Sequence, residues 1–463
     1  MALFNKVLVA NRGAVAARVL RALNAMGVHS VAVYSDADRA APYLEQATET
    51  AHIGAAPARE SYLNQERLLE VARAHNADAV HPGYGFLSEN ASFAQKVEQA
   101  GLRFIGPSPR WIDAMGHKTR ARELAAQHGW PVGRGSGVLA KDPQDVLKAA
   151  EQIGYPILVK PAAGGGGIGM LPARSPSELL EVVERAASMA ERGFASREVY
   201  LERLVERPRH VEVQVLGDRH GKVAHVFERD CSVQRRHQKI IEEARAPGLD
   251  DGQLAPLFER ITSTLSTLGY DNLGTVEMLL APDGEFRFLE MNTRLQVEHG
   301  VTEEITGIDL VQSQLRSAAG DRLEDILPAT IEPQGHAIQA RVYAEDPKRF
   351  LPSPGTLAVF QPPADGDIRV ETGYREGMAV TPHYDPLLAK VIAKGATRSH
   401  AIERLCEALG AFAIEGVRNN IPALQAILRS DEFGAGDVHT GLAMQVVSRQ
   451  GSTDVQPKGQ AWR

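Results

Sequence analysis

Cysteine is almost absent: Cys231 and Cys406 are the two in 463 residues, too few for a disulfide framework or a cysteine zinc site. That scarcity points to a reducing, intracellular setting, with the cytoplasm as the expected compartment. No apolar run reaches the ~18 residues that a membrane helix needs, so no span is expected. The start lacks signal-peptide character, because Lys6-Val7-Leu8-Val9-Ala10 runs into Asn11-Arg12-Gly13 without a cleavage site. A formal charge of −7 gives no electrostatic case for nucleic acid or an anionic membrane as partner. The G-x-G-x-x-G fingerprint is missing after the first apolar run, which argues against a dinucleotide site there. There is no internal repeat.

What is present is ordinary for a globular enzyme: 43% hydrophobic and 24% charged residues. The length suits roughly three domains of about 150 residues. Val7–Ala10, Val31–Tyr34 and Ala79–His81 read as parallel strands, with crossover helices at Val15–Ala25 and Glu66–His75, a Rossmann-like unit. A second region opens near Gly116-His117-Lys118, and a third block runs from His336 to about Val447 with a helix at about Ser399–Leu409. Beyond Ser448 the chain is polar, and a frayed tail is expected.

Gly164-Gly165-Gly166-Gly167-Ile168-Gly169 follows a strand that ends in Lys160. Glycines let backbone N–H groups approach phosphate oxygens closely. No Lys-Ser or Lys-Thr pair closes the loop, so it is not a Walker loop. Met170-Leu171-Pro172 continues extended, which favours a flap between two strands over a flexible linker.

Thr275–Leu280 and Glu285–Met291 read as two strands joined by Ala281-Pro282-Asp283-Gly284, and Asp-Gly is a strong hairpin signal. With that dipeptide at the tip, Glu277 falls opposite Glu290. Two carboxylates facing at about 5 Å repel by roughly 3 kcal/mol at an effective dielectric of about 20. The apolar neighbours Met278, Leu279 and Leu289 offer no relief, and a divalent cation converts the repulsion into binding. Oxygen ligands suit Mg²⁺ or Mn²⁺, with Asn292 adding a third oxygen. The alternatives are a protonated acid or a slipped register.

Arg229 to Lys239 gathers basic side chains, either a solvated strand or a cradle for phosphates and a small anion. Cys231 reads as a packed thiol, and His81 and His299 as structural. Glu298 shares its segment with Arg294, and a carboxylate beside a fixed guanidinium is suited to general-base work.

Several stretches together carry a resemblance: Asn11-Arg12-Gly13, His81-Pro82-Gly83-Tyr84-Gly85-Phe86-Leu87-Ser88-Glu89-Asn90, Lys160 with its glycine loop, Pro208-Arg209-His210-Val211-Glu212, Arg229-Asp230-Cys231-Ser232 through Gln238-Lys239, and Met291 to His299. They resemble the biotin carboxylases of the ATP-grasp superfamily over nearly the whole chain. The resemblance implies a mixed α/β and α+β fold. Its parts would be a Rossmann-like pre-ATP-grasp domain at 1–115, an ATP-grasp domain at 116–335 with a mobile lid at about 132–204, a biotin carboxylase C-terminal domain at 336–447, and a flexible tail at 448–463.

It also implies the chemistry: ATP- and bicarbonate-dependent carboxylation of biotin on a separate carrier protein, through carboxyphosphate. Lys118, Lys160, His210, Gln234, His237 and the flap glycines Gly165, Gly166 and Gly167 would meet ATP. Glu202 and the backbone of Arg203 and Val205 would hold adenine. Glu277 and Glu290 would ligate two Mg²⁺ or Mn²⁺ ions, with Asn292. Lys239, Arg294 and the backbone of Gln296 and Val297 would bind bicarbonate, Glu298 would deprotonate it, and Tyr84 and Arg341 would face biotin.

No Ala-Met-Lys-Met biotinylation motif occurs, so a biotin carboxyl carrier protein and a carboxyltransferase subunit are implied partners. A homodimer is implied as well. Ala14, Ile168, Arg245 and Gly300 depart from the family pattern, and Gly300 is expected to loosen the backbone beside Glu298. The glycine flap and Tyr384-Asp385-Pro386-Leu387-Leu388-Ala389-Lys390 are more similar to urea- or guanidine-type carboxylases. Another ATP-grasp ligase with an acyl-phosphate step is the alternative reading, and an inactive scaffold subunit the third.

Overall fold

The computed structural model describes residues 3–140, 142–163, 169–364 and 366–453, with side chains through residue 449. Strands β1 (Lys6–Val9), β2 (His29–Ser35), β3 (Glu49–Gly54), β4 (Ala79–His81) and β5 (Arg103–Phe104) form a parallel sheet in the order β3-β2-β1-β4-β5. Val7 and Val9 pack with Leu20 and Leu23 of the helix Gly13–Ala25, while Leu8 packs with Val31, Val33 and Phe93 in a separate cluster. Alternate side chains of one strand thus fill both faces, and a strand buried on two sides reads as a continuous apolar run. The apolar pattern marks β1, β2 and β4 but not β3 or β5. β3 is the edge strand and half-exposed, and β5 is too short to show a period.

The next sheet holds β6 (Gly135–Val138), β7 (Ile157–Pro161), β8 (Leu171–Ala173) and β9 (Val199–Arg203) in the order β6-β9-β7-β8. Helices Pro143–Ile153 and Pro176–Phe194 bury Val146, Ala150, Leu179 and Val182 against Ile157, Val159 and Leu201. Glu178 accepts the Ser175 N–H at 2.8 Å, which satisfies a backbone donor at the start of the second helix. β7 and β8 are antiparallel neighbours, so the glycine-rich segment joins two strands of one sheet.

The remaining strands are β10 (Arg209–Gly217), β11 (Val223–Arg235), β12 (Gln238–Ala244), β13 (Leu273–Leu280), β14 (Phe286–Asn292), β15 (His336–Tyr343), β16 (Gly355–Thr356), β17 (Val359–Gln361), β18 (Ile368–Thr372), β19 (Ala379–Val380), β20 (Leu387–Gly395) and β21 (Ala413–Glu415). Eight of them make one sheet in the order β14-β13-β10-β11-β12-β15-β20-β18. The sheet runs without a break past residue 335, because β12 pairs with β15 from Ile241↔Ala340 to Ala244↔Ala337. Lys239 on β12 and Arg341 on β15 therefore stand on one continuous surface. β16 pairs with β19, and β17 with β21, as short ribbons.

The third-block helix spans Arg398–Ala411. The tail starts later than expected, since the helix Leu442–Thr453 carries the chain past Val447, with Val446 and Val447 buried. Among the described residues, no helix is long and apolar enough to cross a membrane.

Candidate active site

The β13–β14 hairpin places Glu277 opposite Glu290, Val276 opposite Met291 and Thr275 opposite Asn292. The route to that register is not a two-residue turn. Gly284 donates to the Ala281 carbonyl at 2.9 Å, Ala281 donates to the Glu285 carbonyl at 3.0 Å, and Leu280 pairs with Phe286. Gly284 sits at φ +86°, a left-handed position that suits glycine. The longer turn shifts the register by one residue, and a bulge at Leu289 shifts it back, since Met278 pairs with Phe288.

The carboxylates are not left to repel one another. Glu277 accepts from Lys239 Nζ at 2.8 Å, Asn292 Nδ2 at 2.7 Å and Gln296 Nε2 at 3.2 Å, and lies 3.0 Å from His210 Nε2. Glu290 pairs with Lys118 Nζ at 2.9 Å. Burial opposes the Glu277 charge, but Lys239 and His210 outweigh it and hold the carboxyl below its ordinary range. From the sequence alone a cation, a protonated acid or a slipped register could relieve the pair; in the structure the register holds and basic side chains from β10, β12 and the helix Lys118–Gln127 already pair both carboxylates. The Asn292 amide also departs from expectation. It turns its N–H to Glu277 and its Oδ1 to Arg294 NH2 at 2.9 Å, so ligating an ion requires the amide to turn over.

Glu298 is fully buried, between Lys239 Nζ at 2.8 Å and Arg341 NH2 at 3.0 Å. Burial pushes its carboxyl up, but Lys239, Arg341 and Arg229 together hold it well below the carboxylate range. Its guanidinium partner is Arg341, not the neighbouring Arg294. Arg294 turns to Glu89 Oε2 at 2.7 Å and to Gln296 Oε1 at 2.7 Å. Glu89 also accepts the Thr293 N–H at 3.1 Å, so a residue of the first sheet's loop orients the arginine. Arg341 is shared with Glu242, which lies in turn beside Gln339.

One cavity of about 850 Å³ joins these groups. Its wall includes Lys118, Lys160, Glu202, Arg203, Val205, His210, Gln234, His237, Lys239, Glu277, Glu290, Asn292, Arg294, Gln296, Val297, Glu298, Arg341 and Tyr84, which are all the site residues named from the sequence except the flap glycines. Gly165, Gly166 and Gly167, with Ile168, lie outside the described residues. Lys160 is buried against Glu202, which Arg122 also pairs. Gln234 Nε2 is 2.9 Å from His210 Nδ1, so it sets which way that ring faces Glu277. Burial, then Lys160, lowers the His237 pKa.

The basic stretch divides in two. Arg229 is fully buried on Glu212 and Gln214, and Arg235 on Glu345, so both serve the fold, while Gln234, His237 and Lys239 face the cavity. Burial pushes the Cys231 thiol up, in keeping with a packed residue. His81 and His299 are buried with local backbone partners. Gly300 does not loosen the segment. It is buried in the helix His299–Thr306, and a Cβ there would meet Ile392 Cδ1 at 2.5 Å.

Among the described residues, His210–Glu212–Glu277 and Glu212–Cys231–Glu298 are the acid, histidine and cysteine clusters tight enough to share an ion, and Glu290 is in neither. Glu212 is already held by Arg229 and by Lys239, each at 2.6 Å, so both clusters are ion-pair networks. Glu277, Glu290 and Asn292 remain hard-oxygen groups on one cavity wall, and that donor chemistry fits Mg²⁺ or Mn²⁺. Glu242 and Arg122 carry no motif signal, and Glu89, Glu212 and Lys390 lie in the quoted motifs without a role read for them. Their importance lies in partners far away in sequence.

The sequence matches the family models for the biotin carboxylase N-terminal domain over residues 3–112, the carbamoyl-phosphate synthase L chain ATP-binding domain over 117–326, and the biotin carboxylase C-terminal domain over 339–445. It is 46% identical over 443 residues to biotin carboxylase 2 of Bacillus subtilis, covering 96% of this chain and 100% of that one. It is also 46% identical over 442 residues to the rat mitochondrial methylcrotonoyl-CoA carboxylase subunit alpha, covering 95% of this chain and 62% of that one. The biotin carboxylase domain dimer of Hydrogenobacter thermophilus 2-oxoglutarate carboxylase, solved with MgADP, ADP and bicarbonate, superposes with a TM-score of 0.93 at 39% identity, covering 99% and 100% of the two chains. With the cavity, the paired acids and the Lys239–Glu298–Arg341 arrangement, these matches establish that the chain belongs to the biotin carboxylase family.

Proposed function

We propose that this chain carboxylates biotin carried on a separate protein, using ATP and bicarbonate, as the first half-reaction of a biotin-dependent carboxylase. The observation that carries this reading is Glu298: fully buried, and held by Lys239 and Arg341 on the cavity wall that also bears Glu277 and Glu290. A carboxylate this well paired is a weak base. Bicarbonate entering beside Lys239 and Arg294 competes for the Lys239 ammonium and weakens the field on Glu298. Its proton affinity rises just where the bicarbonate O–H arrives.

The bicarbonate oxygen then attacks the γ-phosphorus of ATP, ADP leaves, and Glu298 keeps the proton. Lys118, Lys160 and His210 bind the phosphate oxygens, while Glu202 and the backbone of Arg203 and Val205 hold adenine. Glu277 and Glu290 would hold Mg²⁺, which would supply charge neutralisation at the phosphates. Carboxyphosphate yields CO₂ and phosphate, phosphate takes the ureido proton of biotin, and Arg341 stabilises the enolate that attacks CO₂. Tyr84, whose backbone carbonyl Asn11 holds at 2.9 Å, forms the wall on the biotin side.

A carrier protein, a carboxyltransferase and a second copy of this chain complete the proposed assembly in the cytoplasm. The domain limits proposed with it are 1–115, 116–335 and 336–447. The test is ATP hydrolysis by the purified chain. The reading expects dependence on both bicarbonate and Mg²⁺, and stimulation by free biotin. Hydrolysis driven by an amino acid instead of bicarbonate would overturn it in favour of another ATP-grasp ligase.

A further inference from the structure

Gln296–Glu298 lines the cavity between the end of β14 at Asn292 and the helix that starts at His299, outside the sheet ladder. Its backbone makes two long contacts with the helix start, His299 N–H to the Gln296 carbonyl at 3.4 Å and Val301 N–H to the Glu298 carbonyl at 3.3 Å, and two side chains add shorter bonds. The Gln296 carbonyl lies 2.7 Å from His299 Nδ1, and a carbonyl acceptor assigns the ring proton to that nitrogen. Burial, then the nearby Lys390 charge, keeps this imidazole neutral. The next carbonyl, that of Val297, accepts from Lys390 Nζ at 2.9 Å.

Lys390 is fully buried, 2.8 Å from Glu371 Oε2. Arg341↔Lys390 and Glu371↔Lys390 are direct cross-strand partners, so three charged side chains form one row across β15, β20 and β18. The two cations of that row grip adjacent residues: Lys390 the main chain of Val297, Arg341 the carboxylate of Glu298.

In a planar trans peptide the C=O and the following N–H point to opposite sides. Holding the Gln296 carbonyl on His299 aims the Val297 N–H the other way. Holding the Val297 carbonyl on Lys390 aims the Glu298 N–H away from Lys390. Neither N–H donates to a backbone carbonyl among the described residues. An apolar side chain at 390 would fill the space without a buried ion pair, but it would leave the Val297 carbonyl unheld.

We propose that Lys390 and His299 are positioning residues that lock these two consecutive peptide planes, so that the Val297 and Glu298 N–H groups are presented to the bicarbonate anion. The proposal rests on the biotin carboxylase reading above. Neither residue touches a substrate, and both act through the backbone. A charge-assisted bond to a carbonyl is stronger than a neutral one, which suits a segment that must stay put while an anion enters beside it.

The test uses the full chain with Lys390→Met, His299→Leu and His299→Asn, measuring KM for bicarbonate and for ATP in bicarbonate-dependent ATP turnover. Lys390→Met and His299→Leu are expected to raise the bicarbonate KM about tenfold or more, the loss of one well-placed bond, with the ATP KM within about twofold. His299→Asn keeps an N–H donor at the place of Nδ1 and is expected to recover most of the bicarbonate affinity. An unchanged bicarbonate KM, an equal rise in both constants, or no recovery with asparagine would overturn the proposal. Should Lys390→Met fail to fold, the two His299 variants decide the question. Absence of bicarbonate-dependent turnover in the unmodified chain would instead overturn the functional reading, and the two failures are thereby told apart.

Discussion

Replacing Lys239 by methionine is expected to make stability depend on pH in a way the unmodified chain does not. The Lys239 ammonium touches Glu212 at 2.6 Å and Glu277 and Glu298 at 2.8 Å, and all three carboxylates are buried. Breaking a buried pair by removing one partner costs about 3–5 kcal/mol, because the remaining charge is uncompensated. For a cooperative unit of about 250 residues that corresponds to a Tm lower by roughly 6–10 °C.

Glu277 and Glu298 have folded pKa values below their unfolded ones in the unmodified chain. Their stabilisation is therefore present above the unfolded value of about 4.3 and is lost as pH falls through the lower folded values. In Lys239→Met the three carboxylates lose their shared counter-charge and keep only Arg229, His210 and Arg341, and burial is expected to lift the folded pKa values of Glu277 and Glu298 above the unfolded value. The deficit should be full near pH 8 and should shrink as pH falls toward 5, where these under-compensated carboxyls begin to take up protons. Thermal unfolding of both proteins at these two pH values measures it. Equal Tm deficits at both would mean that the loss is one of packing, and the electrostatic account of the site would fall.

Glu298→Gln is expected to lower bicarbonate-dependent ATP turnover by about 10²–10⁴-fold, the usual worth of a general base, while nucleotide binding by titration stays near that of the unmodified chain. Equal loss of both would make the residue structural. Glu89→Gln weakens the anchor on Arg294 Nε and should raise the bicarbonate KM by about threefold to tenfold with little change for ATP, read from initial rates. Gly300→Ala should lower Tm, since crowding against Ile392 costs about 1–3 kcal/mol while the helix gains only about 1 kcal/mol from alanine. In an Ile392→Val background the same change should raise Tm, and simple additivity in that pair would refute the steric account.

The sequence by itself determined the parts whose information is local. Continuous apolar runs marked β1, β2 and β4, and the Asp-Gly turn with its flanking strands brought Glu277 opposite Glu290. The motifs named the side chains of the cavity wall, from Lys118 to Arg341. Even the hairpin was legible for an incomplete reason, because a longer turn and a bulge at Leu289 cancel in the register. Only the tertiary structure decided which charge meets which. Glu298 looks to Arg341 on β15 rather than to Arg294 four residues away, and Arg294 looks to Glu89, 205 residues away in sequence. Lys239 gathers three carboxylates from β10, β13 and the segment after β14. The physical reason is range: turn geometry and strand period act over a few residues, whereas Coulomb attraction inside a low-dielectric core joins whatever the sheet order makes neighbours.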